Sequence, residues 1–181
     1  MLPLSGALLL FVCLLVVFGT LAWGALSAAP WVPLPRRDVE RLISCVDPQP
    51  GELLVDLGCG DGRLLVAAAA RPGVRAIGYE VAVVPYLLAQ LRRVLSPARE
   101  RISVRYQSFW EQDLGTAAAV VCFLTPPAMR RLEPKLDREL RPGARFATYV
   151  FPLPNATRDL VDKPTRAAVS IYRYRGPISG G

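Results

Sequence analysis

Leu53-Leu54-Val55-Asp56-Leu57-Gly58-Cys59-Gly60-Asp61-Gly62-Arg63 decides how this 181-residue chain folds. Three large apolar residues lead into an acid, and glycines then stand at every second position before another apolar run, Leu64-Leu65-Val66-Ala67-Ala68. That order reads as a buried strand, a tight turn and a helix. Glycine accepts positive φ and leaves room for a bulky group against the backbone, so the turn reads as the seat of an adenosine-bearing ligand. A glycine turn with no ligand is the plain alternative. Against it stands a second acid, Glu80, which ends the run Arg75-Ala76-Ile77-Gly78-Tyr79. An acid about twenty residues beyond such a turn, at the tip of the next parallel strand, is placed to accept from both hydroxyls of a ribose.

Spacing narrows the ligand. The dinucleotide fingerprint G-x-G-x-x-G fails because Arg63 occupies its third glycine position, which disfavours a pyrophosphate cradle. The D-x-G-x-G-x-G form resembles instead the first motif of the seven-strand S-adenosylmethionine-dependent methyltransferases, whose ligand carries no phosphate.

Outward from this motif the chain alternates strands and helices. Arg37 to Asp47 reads as a helix with Val39, Leu42, Ile43 and Val46 on one face, and a helix over Leu64 to Arg71 stops at Pro72-Gly73. Strand two is Arg75 to Glu80. Pro85 opens a helix whose stripe Val84, Leu87, Leu88, Leu91 and Leu95 is expected to be buried. Arg101 to Gln107 is strand three, and the continuous apolar run Ala117 to Leu124 is a strand covered on both faces. Thr125-Pro126-Pro127 starts a helix carrying Met129, Leu132, Leu136 and Leu140, which Pro134 is expected to break or kink. Arg145 to Phe151 is strand five, and the alternating segment Ala167 to Arg175 reads as an antiparallel edge strand. The expected fold is α/β: a Rossmann-like, doubly wound, mostly parallel sheet over residues 37–175, with a disordered tail at 176–181.

Residues 1–28 are a separate element. No charged side chain occurs before Arg36, and Ala7 to Leu26 holds seven Leu, three Val and two Phe. A helix of that length rises about 30 Å, the thickness of a bilayer core, and its large apolar residues favour insertion by about 4 to 7 kcal/mol. The competing account is a cleaved signal peptide, since Leu26-Ser27-Ala28-Ala29 offers small residues near the end. Nothing basic precedes the apolar stretch, whereas Arg36, Arg37 and Arg41 follow it. The reading therefore favours a single-pass transmembrane anchor with the folded domain on the cytoplasmic side. Residues 29–36 join the two through alternating prolines, an extended spacer.

The net charge of +7 lies wholly beyond residue 35 and suits attraction to anionic headgroups. With no run of five basic residues, no nucleic acid is expected as a partner. Cys13, Cys45, Cys59 and Cys122 form no C-x-x-C pair and histidine is absent, which excludes the usual zinc sites and His-based triads, and no metal is expected.

Over residues 30–155 the chain resembles a family of small protein lysine methyltransferases that has archaeal broad-specificity members and mitochondrial members acting on the c-subunit of ATP synthase. The resemblance rests on Pro30-Trp31-Val32-Pro33-Leu34-Pro35, on Val55 to Arg63, on Gly78-Tyr79-Glu80 and on Leu132-Glu133-Pro134-Lys135-Leu136-Asp137-Arg138-Glu139-Leu140-Arg141-Pro142-Gly143. Relatives carry threonine where Leu34 stands and usually an acid or amide where Ser108 stands. The resemblance implies S-adenosyl-L-methionine as cofactor, a class I methyltransferase fold and a protein lysine as acceptor, with a membrane protein as a fitting substrate; the alternatives are a small-molecule or lipid methyltransferase, or a non-catalytic S-adenosylmethionine-binding membrane module. It implies that Gly58, Cys59, Gly60 and Gly62 pass under the cofactor, that Asp56 orients its amino-acid end, that Glu80 holds the ribose, and that Ser108 and Phe109 flank the adenine. Val32, Pro33, Leu34, Pro35, Thr125 and Pro126 would wall the acceptor channel. Thr125 is the candidate catalytic residue, and a plain helix N-cap is its alternative role.

Overall fold

Strand β1 (Leu53–Leu57) sits in the middle of the sheet because both of its faces are apolar: Leu54, Val55 and Leu57 are all buried. The computed structural model describes residues 4–178, in which β1 is followed by α3 (Arg63–Ala70), β2 (Arg75–Glu80), α4 (Val83–Leu95), β3 (Ile102–Tyr106) and β4 (Ala119–Cys122). Helix α5 (Pro126–Glu139) and strands β5 (Arg145–Tyr149), β6 (Leu160–Asp162) and β7 (Ile171–Arg175) complete it, and α1 (Leu4–Ser27) and α2 (Arg36–Val46) precede it. The strand order is β3-β2-β1-β4-β5-β7-β6. The first five of these run parallel, while β7 is antiparallel to both β5 and β6.

Each face of the sheet has its own core. On one, α2 and α3 set Leu42, Ile43, Leu65 and Ala68 against Leu54, Ala76 and Val121. On the other, Met129, Leu132 and Leu136 of α5 pack on Val55, Val120 and Phe146. The order reverses between β1 and β4, and their carboxyl ends therefore part to leave the crevice in which α/β folds hold ligands.

Four expectations change. Strand β7 is not at the edge, because the three-residue β6 pairs outside it, and Ile171 and Tyr174 are buried between neighbours. Helix α5 runs unbroken through Pro134. The proline removes only the hydrogen bond to the carbonyl of Arg130, a residue on the exposed side of the helix. The tail expected from 176 begins with packed chain: the Gly176 N–H donates to the Ala144 carbonyl at 2.8 Å and Ile178 is buried, while 179–181 lie outside the described residues. Helix α4 is turned the other way from expectation. Its inner face is Pro85 and Ala89, and Leu87, Leu88, Leu91 and Leu95 are exposed. Small residues face inward there because the Ala89 backbone packs against Gly62 of the motif loop.

Within α1, Ser5–Leu26 is long and apolar enough to cross a membrane by length and composition, and its side chains do not enter the domain core.

Candidate active site

The carboxyl ends of β1, β2 and β4, the loop after β1 and the segment leading into α2 enclose a cleft of about 950 Å³ counted out to its mouth. Its floor is the glycine loop, which is pinned to the next strand. The N–H groups of Gly58 and Cys59 both donate to the Tyr79 carbonyl, at 3.1 and 2.9 Å. Glu80 completes the pin: one carboxylate oxygen accepts the Gly60 N–H at 2.9 Å and the other accepts the N–H groups of Val81 and Ala82 at 2.8 Å each. Two carboxylate oxygens offer about four acceptor sites, so Glu80 keeps capacity for a further donor in the cleft.

Two glycines are required by close approach. A Cβ on Gly78 would stand 2.6 Å from Cys59 and from Leu65 Cδ1, so β2 can pass the loop only without a side chain there. A Cβ on Gly60, whose φ is +54°, would stand 2.9 Å from the Trp31 ring. Trp31 therefore lies over the glycine turn, and the proline segment folds back across the cleft instead of merely spacing it from α1.

Three acids meet beneath this lid with different fates. Asp56 is buried and lines the cleft, and among the described residues no hydrogen bond reaches its carboxylate. Burial, and then the nearby Glu80 and Asp61 carboxylates, push it up to about 8. The Asp56 carboxylate oxygens open onto the cleft, since Arg145 Nε is the one fully buried and unpaired side-chain polar atom among the described residues, and a donor entering the cleft can reach them. Asp61, equally hidden, is held by Arg63 at 2.6 Å and Arg92 at 2.5 Å. Burial pushes Asp61 up, but the two guanidinium groups outweigh it and hold the carboxyl below the usual range. Cys59 is buried and its thiol is raised well above the ordinary value, by burial first and then by Asp56 and Glu80. A thiol so placed is inert as a nucleophile.

Of the residues expected on the cofactor side, Asp56, Gly58, Cys59, Gly60, Glu80, Ser108 and Phe109 all line the cleft. Gly62 stands behind it at the start of α3, against Ala89. The Ser108 hydroxyl accepts the Trp110 N–H at 3.3 Å and so begins the short 3-10 turn that carries Phe109 inward. On the acceptor side Val32, Pro33 and Leu34 form a wall. Pro35 lies one step beyond, at the start of α2, and Thr125 and Pro126 flank the cleft without lining it. Thr125 occupies the N-cap position of α5 yet makes no capping bond. Its hydroxyl donates instead to the Ala28 carbonyl at 2.6 Å and its N–H to the same oxygen at 3.2 Å, which ties the end of α1 to the tip of β4.

Sequence reading missed the clamp on the lid. The Arg63 guanidinium donates to the Leu34 carbonyl, and Asp61 orients that guanidinium. The available signal was Arg63 itself, a cation at the first turn of a helix, where the dipole disfavours it unless an anion is at hand. Also missed was the buried Asp38, which accepts from the Tyr149 hydroxyl and from Arg41, each at 2.8 Å, and so fixes α2 on β5.

A family model described as the ANTKMT methyltransferase domain matches residues 56–160. The chain belongs to the ANTKMT methyltransferase family. It is 33% identical over 125 residues to the protein-lysine N-methyltransferase of Saccharolobus islandicus, a match that covers 67% of this chain and 76% of that protein. It is 35% identical over 132 residues to the Rattus norvegicus lysine N-methyltransferase of the ATP synthase c-subunit, covering 72% of this chain and 59% of that one, so it spans little more than half of the rat enzyme's length. Among solved structures, an RNA methyltransferase from Salinibacter ruber in complex with S-adenosyl-L-homocysteine superposes with a TM-score of 0.77 at 26% identity, over 83% of this chain and 97% of that one. The ANTKMT-family chain is thus a class I methyltransferase that depends on S-adenosylmethionine. Its cleft suits that ligand chemically, because an acid with no hydrogen bond from the described residues and a carboxylate with spare acceptor capacity, both lining it, are the groups that a cationic amino-acid end and a ribose would need.

Proposed function

We propose that this chain transfers a methyl group from S-adenosylmethionine to the side-chain amine of a protein lysine, working on the cytoplasmic face of a membrane that α1 spans. The observation that carries the acceptor reading is the lid. Trp31, Val32, Pro33 and Leu34 wall the cleft beside the glycine loop without a charged side chain among them. The names of the archaeal and rat relatives, both lysine N-methyltransferases, support the same acceptor.

In this reading the cofactor supplies a methyl group already activated by a positively charged sulfur, so the protein's task is alignment more than strong base catalysis. Asp56, its proton released to solvent, would hold the ammonium of the amino-acid end. Glu80, preorganised by three backbone donors, would accept the ribose hydroxyls, and Phe109 would flank the adenine. The apolar lid strips water from the incoming amine, which lowers its pKa and lets it shed its proton to solvent. Thr125 serves the site by holding the Ala28 carbonyl, with its hydroxyl proton engaged there.

Ser5–Leu26, long and apolar enough to cross a bilayer, supports membrane attachment, and the arginines just beyond it support a domain on the cytoplasmic side. Tethering raises the local concentration of membrane-borne acceptors over free ones. The full-length protein, incubated with membranes and methyl-labelled S-adenosylmethionine, should place label in a protein fraction. Label confined to lipid or to small metabolites would overturn the acceptor reading.

A further inference from the structure

Resting on the reading of α1 as a membrane span, we infer that α4 lies in the interface of the same bilayer, with its leucine stripe embedded among the lipids. The stripe has helical spacing and faces outward: Leu87, Leu91, Val94 and Leu95 are exposed by 57%, 56%, 57% and 73%, and Leu88 lies beside them. Scattered apolar residues on a surface need no explanation, but a contiguous amphipathic face turned outward does. Its geometry is that of a helix lying in a membrane surface with its apolar side down.

Three observations choose lipid as the occupant. First, α4 is joined to α1. The Val83 N–H donates to the Thr20 hydroxyl at 3.2 Å, and Gly24 packs against Val81 and Ala82. Second, the depth agrees. Thr20 is six residues short of Leu26, the end of the apolar span, so the start of α4 is held about 9 Å back along α1 from that end. A span of 22 residues rises about 33 Å against a core of about 30 Å, so Thr20 lies about 6 to 9 Å inside the hydrocarbon edge, within the about 5 to 10 Å to which an interfacial helix buries its apolar face. Third, the exposed Arg105 follows the stripe on the edge strand, where it can meet anionic headgroups, whereas Arg99 is paired with the exposed Glu100 and Arg101 donates to the Ala69 carbonyl. The consequence for the site is direct: α4 begins just after Glu80 and α1 ends beside Trp31, so the cleft mouth is set at the membrane surface and the acceptor lysine must lie close to it.

The test uses the full chain with Cys13 replaced by serine, since the remaining cysteines are buried and single introduced cysteines can then be labelled with an environment-sensitive fluorophore. Leu91→Cys reports α4, Leu15→Cys reports the span, and Arg166→Cys, on an exposed loop, reports water. In vesicles of phosphatidylcholine and phosphatidylglycerol, the probe at 91 should emit at shorter wavelength than that at 166. It should lose most of its emission to spin-labelled lipid and little to iodide. If the probe at 91 is quenched by iodide as fully as that at 166 while the one at 15 is quenched by lipid, the inference fails and the span stands. Protection of position 91 from both quenchers would mean a protein cover, such as a second copy, and would equally overturn it. If position 15 itself escapes the lipid quencher, the span reading falls and the placement of α4 falls with it.

Discussion

Replacing Glu80 by glutamine perturbs a single oxygen of the cofactor cleft. The native carboxylate takes three backbone N–H groups, from Gly60 on one oxygen and from Val81 and Ala82 on the other. In Glu80→Gln the amide oxygen can keep the Val81 and Ala82 donors, but its NH₂ group must then face the Gly60 N–H, donor against donor. One charge-assisted bond disappears together with the acceptor left for the ribose. Hydrogen bonds to charged groups contribute about 1.5 to 3 kcal/mol each, so a loss of about 2 to 3 kcal/mol in cofactor binding is expected, roughly 30- to 150-fold in Kd. Calorimetric titration with S-adenosylhomocysteine, the demethylated product, reads this without turnover. Chemical denaturation of the same variant separates lost affinity from lost fold. An affinity within threefold of the parent protein, with unchanged stability, would refute the assignment of Glu80 to the ribose.

Asp56 gives a pH signature. A carboxyl with a pKa of about 8 must release its proton to pair with a cationic ligand end, so cofactor affinity should rise as pH climbs toward 8 and level off above it, a slope that Asp56→Asn abolishes. In the unliganded protein the sign for stability is opposite. The native state keeps a proton that the unfolded chain has released above the usual carboxylate range, so this group's contribution is greatest in acid and is lost as pH rises toward 8, as pH-dependent denaturation should report. Gly78→Ala forces a methyl to within 2.6 Å of Cys59 and Leu65 and should destabilise the fold by about 1 to 3 kcal/mol. Gly143→Ala, with open space but a φ of +80°, should cost about 1 to 2 kcal/mol by backbone strain alone, and urea denaturation compares the two. Thr125→Val should loosen the end of α1 yet leave methyl transfer within a few-fold of the parent in a labelled-cofactor assay, and a hundredfold loss of turnover at unchanged stability would return Thr125 to the chemistry.

The sheet and its crevice were legible because buried parallel strands announce themselves as short apolar runs, and because glycines at 58, 60 and 62 have few other uses in a row. Elements that depend on partners were not. Leu160–Asp162 is a strand only because β7 offers it an edge, and its first two residues are exposed, so no pattern marks it. The leucine stripe of α4 was correctly periodic and wrongly oriented, since periodicity gives an apolar face without saying whether protein or lipid covers it. The clamps on the site join residues far apart in the chain, Arg63 with Leu34 and Tyr149 with Asp38, and no local signal pairs them. Asp56 was found, but its lack of a hydrogen bond, which says most about the ligand, exists only in three dimensions.

The most direct measurement of the central claim is the chemical identity of the methylated group. Membranes treated with the full-length protein and methyl-labelled S-adenosylmethionine would be stripped of lipid and nucleic acid, hydrolysed to amino acids and resolved. The account predicts label eluting as N-methylated lysine, and its disappearance when Glu80→Ala replaces the parent protein. Label in another amino acid, or in the lipid or RNA extracts with none in lysine, would contradict it.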